Sequence, residues 1–298
     1  MRNVFIINPA AGKGMVQKSV SAAIEEYCRA HEGEYEVLYT KAPGDARRFA
    51  EKEAKTGKET RIFACGGEGT SFEVINGIAG CDNITLGVIP CGSANDFLKV
   101  YGEKAAFLDI DRQLAGHTVS VDLIKAGEYF CLNVCSAGMD AMVANDMQLF
   151  KRWPLVSGHA AYNLAIIKNF VRKLGVGLNI TLDGVALGAI RCLFVVIANA
   201  PVYGGGYVGA PKAKPDDGEL DFTLVKVISR FRVPKFLSVY KKGEQEKLSY
   251  CSLKRCRVME FVSKKVIPVN LDGEIIYTDK MRFEVVPGGL KFSLPEYL

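Results

Sequence analysis

No apolar run in this chain approaches the ~20 residues that a membrane-spanning helix needs. The longest, Cys192–Ala200, has nine residues and already contains Asn199, so a transmembrane helix is excluded on length. The stretch Val4-Phe5-Ile6-Ile7 behind Met1-Arg2-Asn3 is too short for a secretory signal. The expectation is a cytoplasmic protein, with peripheral attachment to the inner face of a membrane left open. Metal-binding spacing is also lacking. The nine cysteines include no Cys-x-x-Cys pair and the three histidines lie far apart, which argues against a zinc site. An odd cysteine count, with Cys65, Cys131 and Cys192 inside apolar runs, reads as reduced core thiols. There is no internal repeat and no low-complexity segment.

What is present suits a folded protein of about two domains. The chain has 298 residues, 49% apolar and 24% charged, which leaves little room for extensive disorder. The net charge of +5 is unevenly spread. Residues 226–265 hold 12 Lys/Arg against three Glu, while the first 225 residues hold 23 basic against 25 acidic. So dense a basic segment is either a solvated face or an attractor of anionic headgroups or nucleic acid.

The first part alternates strand and helix. Short apolar runs at 3–7, 35–39, 61–65 and 85–89 read as buried strands. Helical spacing follows at 16–30 (Val16, Val20, Ala23, Ile24, Tyr27), at about 45–55, from Ser71 to about 79 and from near Phe97. This predicts an α/β, doubly wound, mostly parallel domain over 1–122. After Val119–Leu123 the grammar changes to strand-like runs at 129–135, 178–182, 189–198, 220–228, 257–262, 266–271, 281–286 and 290–294. Tight turns join several of them, at Asp183-Gly184 and Gly288-Gly289. A single long helix over about 158–173 interrupts them. The expectation for 123–298 is a mainly β, sandwich-like domain.

In a doubly wound sheet ligands bind beyond the carboxyl ends of the strands. Three loops there carry glycine with hydroxyl or amide groups: 8–14, 66–70 and 90–96. Gly66-Gly67-Glu68-Gly69-Thr70 sits where a strand gives way to a helix, so free helix N–H groups would face an anion such as phosphate. A bare strand-to-helix turn explains the same glycines. The known phosphate fingerprints do not fit. Ile7 stands where a Walker loop needs glycine, Gly14 follows Lys13, and Phe72 occupies the third glycine position of a dinucleotide loop. Protein-kinase signatures are absent. The residues by themselves indicate a phosphate-bearing ligand.

Taken together, Asn-Pro-Ala-Ala-Gly at 8–12, Gly-Gly-Glu-Gly-Thr at 66–70, Gly-Ser-Ala-Asn-Asp at 92–96 and Leu-Asp-Gly-Glu at 271–274 resemble the diacylglycerol kinase-like lipid kinases of bacteria. Sphingosine and ceramide kinases are relatives of that family. The resemblance covers nearly the whole chain in the expected order. It implies an ATP site between two domains. Asn8, Pro9, Ala10, Ala11, Gly12 and Thr40 would line the nucleotide. Gly66, Gly67, Glu68, Gly69, Thr70, Ser71, Phe72 and Glu73 would wrap its phosphates. Ser93 stands where the family has threonine, next to Asn95, and Asp96 would help hold catalytic Mg2+ through water. Asp272 would be the general base, supported by Glu274. The family also has a second, structural magnesium, for which, by position, Asp217 would supply a side chain and Lys214 and Glu219 backbone carbonyls. The family pattern has Asp where this chain has Glu68.

These roles suit the chemistry, since phosphoryl transfer needs positioned donors, a metal and a carboxylate to orient the attacking hydroxyl. Plain structural readings stand beside them. Asp-Gly is a favoured hairpin turn, and Leu182-Asp183-Gly184 repeats the tripeptide of Leu271-Asp272-Gly273. Asp216-Asp217-Gly218 is equally a turn without a metal. A helix around Ala160–Leu174, with Tyr162, Ile166, Ile167, Phe170, Lys168, Arg172 and Lys173 near Lys151-Arg152-Trp153, is either a core helix with a wet basic face or a membrane rim. The expected function is an ATP- and Mg2+-dependent lipid kinase acting on diacylglycerol at a membrane surface. No nucleic-acid partner is expected, and a homodimer is left open. The rivals are an NAD kinase-like enzyme and a nucleotide- or lipid-binding regulator with impaired catalysis.

Overall fold

The computed structural model describes residues 1–92, 95–150, 164–169 and 174–298. Two compact units divide the chain: 1–123 with 287–298, and 124–286.

In unit 1 the buried apolar runs form the strands. In chain order its elements are β1 (Arg2–Ile7), α1 (Met15–Ala30), β2 (Tyr35–Tyr39), α2 (Asp45–Ala54), β3 (Thr60–Gly66), α3 (Glu68–Ile78), β4 (Ile84–Pro90), α4 (Ile110–Ala115) and β5 (His117–Ala126). The strand order is β4-β3-β1-β2, all parallel. β3 and β4 are buried at every residue, as parallel strands covered on both faces must be. Phe5 stacks on Phe63 at 4.9 Å between ring centroids, and Val20 and Ile24 of α1 pack into the same core. The helix expected from Phe97 is instead a single 3-10 turn, Asp96–Val100, entered through Asn95 in the left-handed region (φ 57°).

Unit 2 is largely antiparallel. It contains β6 (Tyr129–Cys131), β7 (Val134–Gly138), α5 (Met139–Phe150), β8 (Val176–Leu182), β9 (Val185–Ala198), β10 (Val202–Tyr203), β11 (Tyr207–Val208), β12 (Leu220–Lys226), α6 (Val233–Lys241), β13 (Cys251–Cys256), β14 (Val258–Leu271) and most of β15 (Glu274–Leu294). The order runs β13-β12-β9-β7-β14-β15. The long strands β9 and β14 pair with β7 along one part of their length and with β8 along another. With β8 branching off this order, unit 2 is the mainly β domain that was expected.

Several expectations change. The runs 257–262 and 266–271 are one strand, β14, with an irregularity between Val262 and Ile267. Likewise 281–286 and 290–294 are one strand. Gly288-Gly289 is therefore no hairpin; the Gly288 N–H donates to Asp122 Oδ1 at 2.7 Å. Residues 287–298, read from the sequence with the second domain, group with unit 1, where Lys291 and Phe292 pair in parallel with Thr85 and Leu86 of β4. Helices α5 and α6 were not foreseen. Most of the helix expected over 158–173, including Tyr162, Phe170, Arg172 and Lys173, lies outside the described residues, as do Ser93 and Lys151-Arg152-Trp153; residues 164–169 are helical. Cys65, Cys131 and Cys192 are buried, and all nine cysteines are free thiols.

Candidate functional site

In unit 1 the three predicted loops meet at the carboxyl ends of β1, β3 and β4 and hydrogen-bond to one another. Asn8 Nδ2 donates to Thr70 Oγ1 at 3.1 Å, while Asn8 Oδ1 accepts from the Ala10 N–H at 3.0 Å and folds the 8–12 turn. The Gly66 carbonyl accepts from the N–H groups of Cys91 (2.9 Å) and Gly92 (3.2 Å) and from Asn95 Nδ2 (3.4 Å). Glu68 Oε1 accepts from the Asp96 N–H at 3.2 Å. These close approaches account for two glycines. A Cβ on Gly92 would lie 2.6 Å from Gly67 Cα, and one on Gly12, at φ +59°, would lie 2.2 Å from the Cys91 carbonyl oxygen. Thr40 follows β2 and donates its N–H to the Ile7 carbonyl at 2.9 Å.

The donor set suits an anion. α3 begins at Gly67 with no side-chain cap on its N–H groups, which leaves its positive end facing the loops. Ser71 Oγ is a buried hydroxyl without a hydrogen-bond partner, free to donate to an anion, whereas the equally unpartnered Asn95 Oδ1 is an acceptor and suits a water or a cation instead. Glu68 and Asp96 bring two carboxylates into one loop pair, the number magnesium commonly takes beside nucleotide phosphates. Asp96 is buried and receives Lys99 Nζ at 2.6 Å. Glu73 sits apart from this cluster: its carboxylate accepts from Gly44 N–H (2.9 Å) and Ala46 N–H (3.1 Å) and caps α2. Phe72 lies one turn into α3, where its carbonyl accepts from Asn76 Nδ2 at 2.8 Å.

The unit 2 candidate centres on Asp272. Pairing of Leu271 with Glu274 leaves Asp272-Gly273 as a two-residue turn between β14 and β15, with Asp272 at φ 50°. Its carboxylate is buried against the segment joining β6 and β7. It accepts from Leu132 N–H (2.5 Å), Asn133 N–H (3.0 Å) and Val134 N–H (2.7 Å). Burial pushes the carboxyl up to about 6, against the pull of those three donors. Glu274 opens β15 and is exposed. Around Asp272 stand two amides that the sequence reading passed over. Asn199 Nδ2 donates to the Leu132 carbonyl at 2.9 Å and Asn133 Nδ2 to the Val202 carbonyl at 3.1 Å, and the Asn133 amide oxygen is buried without a partner. An asparagine inside the longest apolar run was the available signal for Asn199.

A second polar cluster lies in unit 2. Ser136 Oγ donates to Asp140 Oδ2 at 2.5 Å, Tyr203 OH to Asp140 Oδ1 at 3.1 Å, and Tyr203 and Tyr240 share a hydroxyl bond at 2.8 Å. Burial raises the Asp140 carboxyl. Asp140, Tyr203 and Tyr240 edge an apolar cavity of about 20 Å3, room for roughly one water.

At 214–219 the one side-chain donor expected for a second magnesium ion is already engaged. Asp217 Oδ1 accepts from the Glu219 N–H at 3.2 Å, and its Oδ2 is held by Arg255 Nη2. Arg255 also reaches Glu219 at 2.8 Å and Asp221 at 3.9 Å. A guanidinium already closes this carboxylate cluster. Lys214 stands three residues before Asp217 in the same turn.

Comparison with known proteins agrees with this layout. The pattern of the diacylglycerol kinase catalytic domain matches residues 2–126, and that of the YegS C-terminal NAD kinase beta sandwich-like domain matches 133–293. A Pseudomonas aeruginosa protein called "Probable lipid kinase YegS-like" is 32% identical over 289 residues, covering 95% of this chain and 92% of that one. A Mycobacterium tuberculosis protein called "Diacylglycerol kinase" is 26% identical over 98% of this chain and 94% of its own length. A crystal structure of a Bacillus anthracis diacylglycerol kinase superposes with a TM-score of 0.72 at 21% identity, over 99% of this chain and 97% of that one. An Archaeoglobus fulgidus NAD kinase in complex with ATP shares the fold more distantly, with a TM-score of 0.51 at 15% identity over 99% and 94% of the two chains.

Proposed function

The chain belongs to the lipid kinases built on a diacylglycerol kinase catalytic domain, and on that footing we propose that it transfers the γ-phosphoryl group of ATP to a primary hydroxyl of diacylglycerol, giving phosphatidic acid. The observation that carries this reading is Asp272, a buried carboxylate fixed by three backbone donors and pushed up to about 6. Three donors leave roughly one lone pair of the carboxylate for a substrate. A carboxyl near 6 is ionised at neutral pH, yet basic enough to take up the hydroxyl proton as the oxygen attacks. The backbone donors fix its direction without joining the reaction.

In unit 1 the uncapped start of α3 and the Asn8 turn bind and orient the phosphates. Ser71 offers a buried hydroxyl that lacks a partner and can donate to a phosphate oxygen. Glu68 and Asp96 would hold magnesium through water, and the ion would neutralise charge gathering on the phosphates. Lys99 balances Asp96 until the metal arrives.

A radiolabelled-ATP assay across diacylglycerol, a sphingoid base, phosphatidylglycerol, undecaprenol and NAD tests the proposal. Diacylglycerol is expected to give the highest kcat/KM. Preference for another lipid would overturn the substrate, preference for NAD the lipid-kinase reading, and ATP binding without turnover would indicate a regulator.

A further inference from the structure

From Lys226 to Gly243 the chain carries six Lys/Arg and no Asp or Glu. Its middle is α6, which buries Val233, Phe236 and Tyr240 in the core of unit 2. Phe236 lies 5.1 Å from Tyr240 and 5.9 Å from Phe194 between ring centroids, so the helix is anchored. Its outward face presents Lys235, Ser238, Lys241 and Lys242, all exposed. The turn before it, Arg230–Arg232, buries nothing. Phe231 there is 93% exposed, more than any other large apolar side chain among the described residues.

A lone exposed apolar side chain is ordinary. This one is held outward by its setting. Ile228 and Val233 on either side are buried, and Pro234 at the start of α6 stiffens the corner. Arginines flank the ring directly. Arg232, Lys235, Lys241 and Lys242 pair with no carboxylate among the described residues; the nearby acids, Glu244 paired with Lys247 and Glu246 paired with Lys212, lie beyond Gly243. An aromatic ring between two cations, continued by a helix with one buried and one basic face, is the chemistry of an element lying in a bilayer interface.

We infer that the Phe231-Arg232 corner, together with the outward face of α6, docks unit 2 on an anionic lipid bilayer, Phe231 entering at headgroup level and Arg232, Lys235, Lys241 and Lys242 meeting lipid phosphates. The choice of a bilayer over another polyanion rests on the lipid-kinase reading above. The surface itself takes no part in phosphoryl transfer.

The test places a fluorescent reporter at the corner. Trp153 is the chain's one tryptophan, so a Trp153→Phe, Phe231→Trp protein reports on position 231 alone. It is mixed with phosphatidylcholine vesicles with or without 30% phosphatidylglycerol, in the absence of ATP and diacylglycerol. A blue-shifted emission, quenched by brominated lipid, is expected with the anionic vesicles only and should fade as salt is raised. In sedimentation, Phe231→Ser should weaken partitioning about tenfold, and Arg232→Gln with Lys235→Gln about 25-fold, taking ~fivefold per charge near an anionic surface. Vesicle binding without a blue shift, equal binding to neutral vesicles, or an equal shift with a short oligonucleotide would each overturn the assignment. Phe231→Ser should keep full turnover on a short-chain, water-soluble diacylglycerol. Absence of turnover by the wild-type protein on every lipid would sink the kinase reading and leave the fluorescence result standing. Loss confined to Phe231→Ser on the soluble lipid would overturn the separation of docking from phosphoryl transfer.

Discussion

Asp183 and Asp272 occupy the same two-residue turn and satisfy backbone N–H groups of a neighbouring strand or its approach, but only Asp272 does so in a buried site. Each follows leucine, precedes glycine and takes positive φ, 47° and 50°. Asp183 is exposed and accepts from Arg257 and Val258 N–H at 2.9 and 2.8 Å. Asp272 is 9% exposed and accepts from Leu132, Asn133 and Val134. Asp272→Asn should therefore lower kcat by several orders of magnitude while ATP still binds. The new amide also faces backbone donors, which should cost about 1–3 kcal/mol of stability. Asp183→Asn should leave kcat within a few-fold. Parallel kcat and ATP titrations decide; near-normal turnover in the Asp272 variant would mean the base lies elsewhere.

The raised Asp272 carboxyl makes opposite predictions for activity and stability. Activity requires the ionised form, so log(kcat/KM) should climb with pH and level off above about 6. The folded-state value lies above the ordinary 3.8, so the native protein holds a proton that the unfolded chain has released. The stability this gives is fully present below about 4 and is lost as pH rises through about 6. The loss is on the order of 3 kcal/mol. Denaturant unfolding between pH 4.5 and 7.5 should show a steeper loss in the wild type than in Asp272→Asn, which keeps only the slope owed to groups such as Asp221.

Unit 1 was legible because parallel strands covered on both faces appear as unbroken apolar runs, and β1 to β4 fall within a residue or two of where those runs lie. Unit 2 resists the same reading for tertiary reasons. A long strand that bends, as β15 does at Gly288, mimics two strands and a turn. α5 follows β7 without a break, so its apolar residues merge with the strand's. Asp272 and Asp183 share their local sequence, so burial alone separates them, and burial is set by pairing with β7, more than 130 residues away. Only the family resemblance distinguished them beforehand. The Asn8, Gly66 and Gly92 loops could be listed from the sequence, but not the bonds that join them.

Glu68 reaches the Asp96 N–H at 3.2 Å, a contact that depends on the length of its side chain. Glu68→Asp withdraws the carboxylate by about one carbon–carbon bond and leaves that N–H without its acceptor. Charged hydrogen bonds contribute about 1.5–3 kcal/mol, so kcat/KM for ATP should fall about tenfold or more. Steady-state kinetics with ATP varied will show it; a faster enzyme would mean that this loop is better served by the family's aspartate.

Gly92 tests whether the loops must touch. An added methyl would lie 2.6 Å from Gly67 Cα, and neither partner there is a side chain that can swing aside. Gly92→Ala should push the 92–96 loop from the start of α3 and weaken ATP binding about tenfold or more, while unfolding shifts modestly. Calorimetric titration with ATP measures the first effect and thermal melting the second. Unchanged affinity would show that the phosphate loop does not need its neighbour.

Arg255 gathers Asp217, Glu219 and Asp221 around one guanidinium. Asp221 is 6% exposed, and burial pushes its carboxyl up to about 6 even with Arg255 beside it. Removing the guanidinium leaves three carboxylates facing each other, one of them buried, so the Asp221 value should rise further. Because Arg255 is itself about half exposed, Arg255→Met should cost only about 1 kcal/mol at neutral pH. The cost should shrink towards pH 5, where Asp221 is protonated in both proteins. The same arrangement predicts how the turn responds to a divalent ion. Without nucleotide, the wild-type Tm should not change with millimolar Mg2+, because the side-chain donor at 217 is already occupied. The Arg255→Met protein, with that carboxylate released, should melt higher when Mg2+ is added. A wild-type Tm that rises with Mg2+, and a variant that rises no further, would mean that the cation displaces Arg255 and that the turn is a metal site after all.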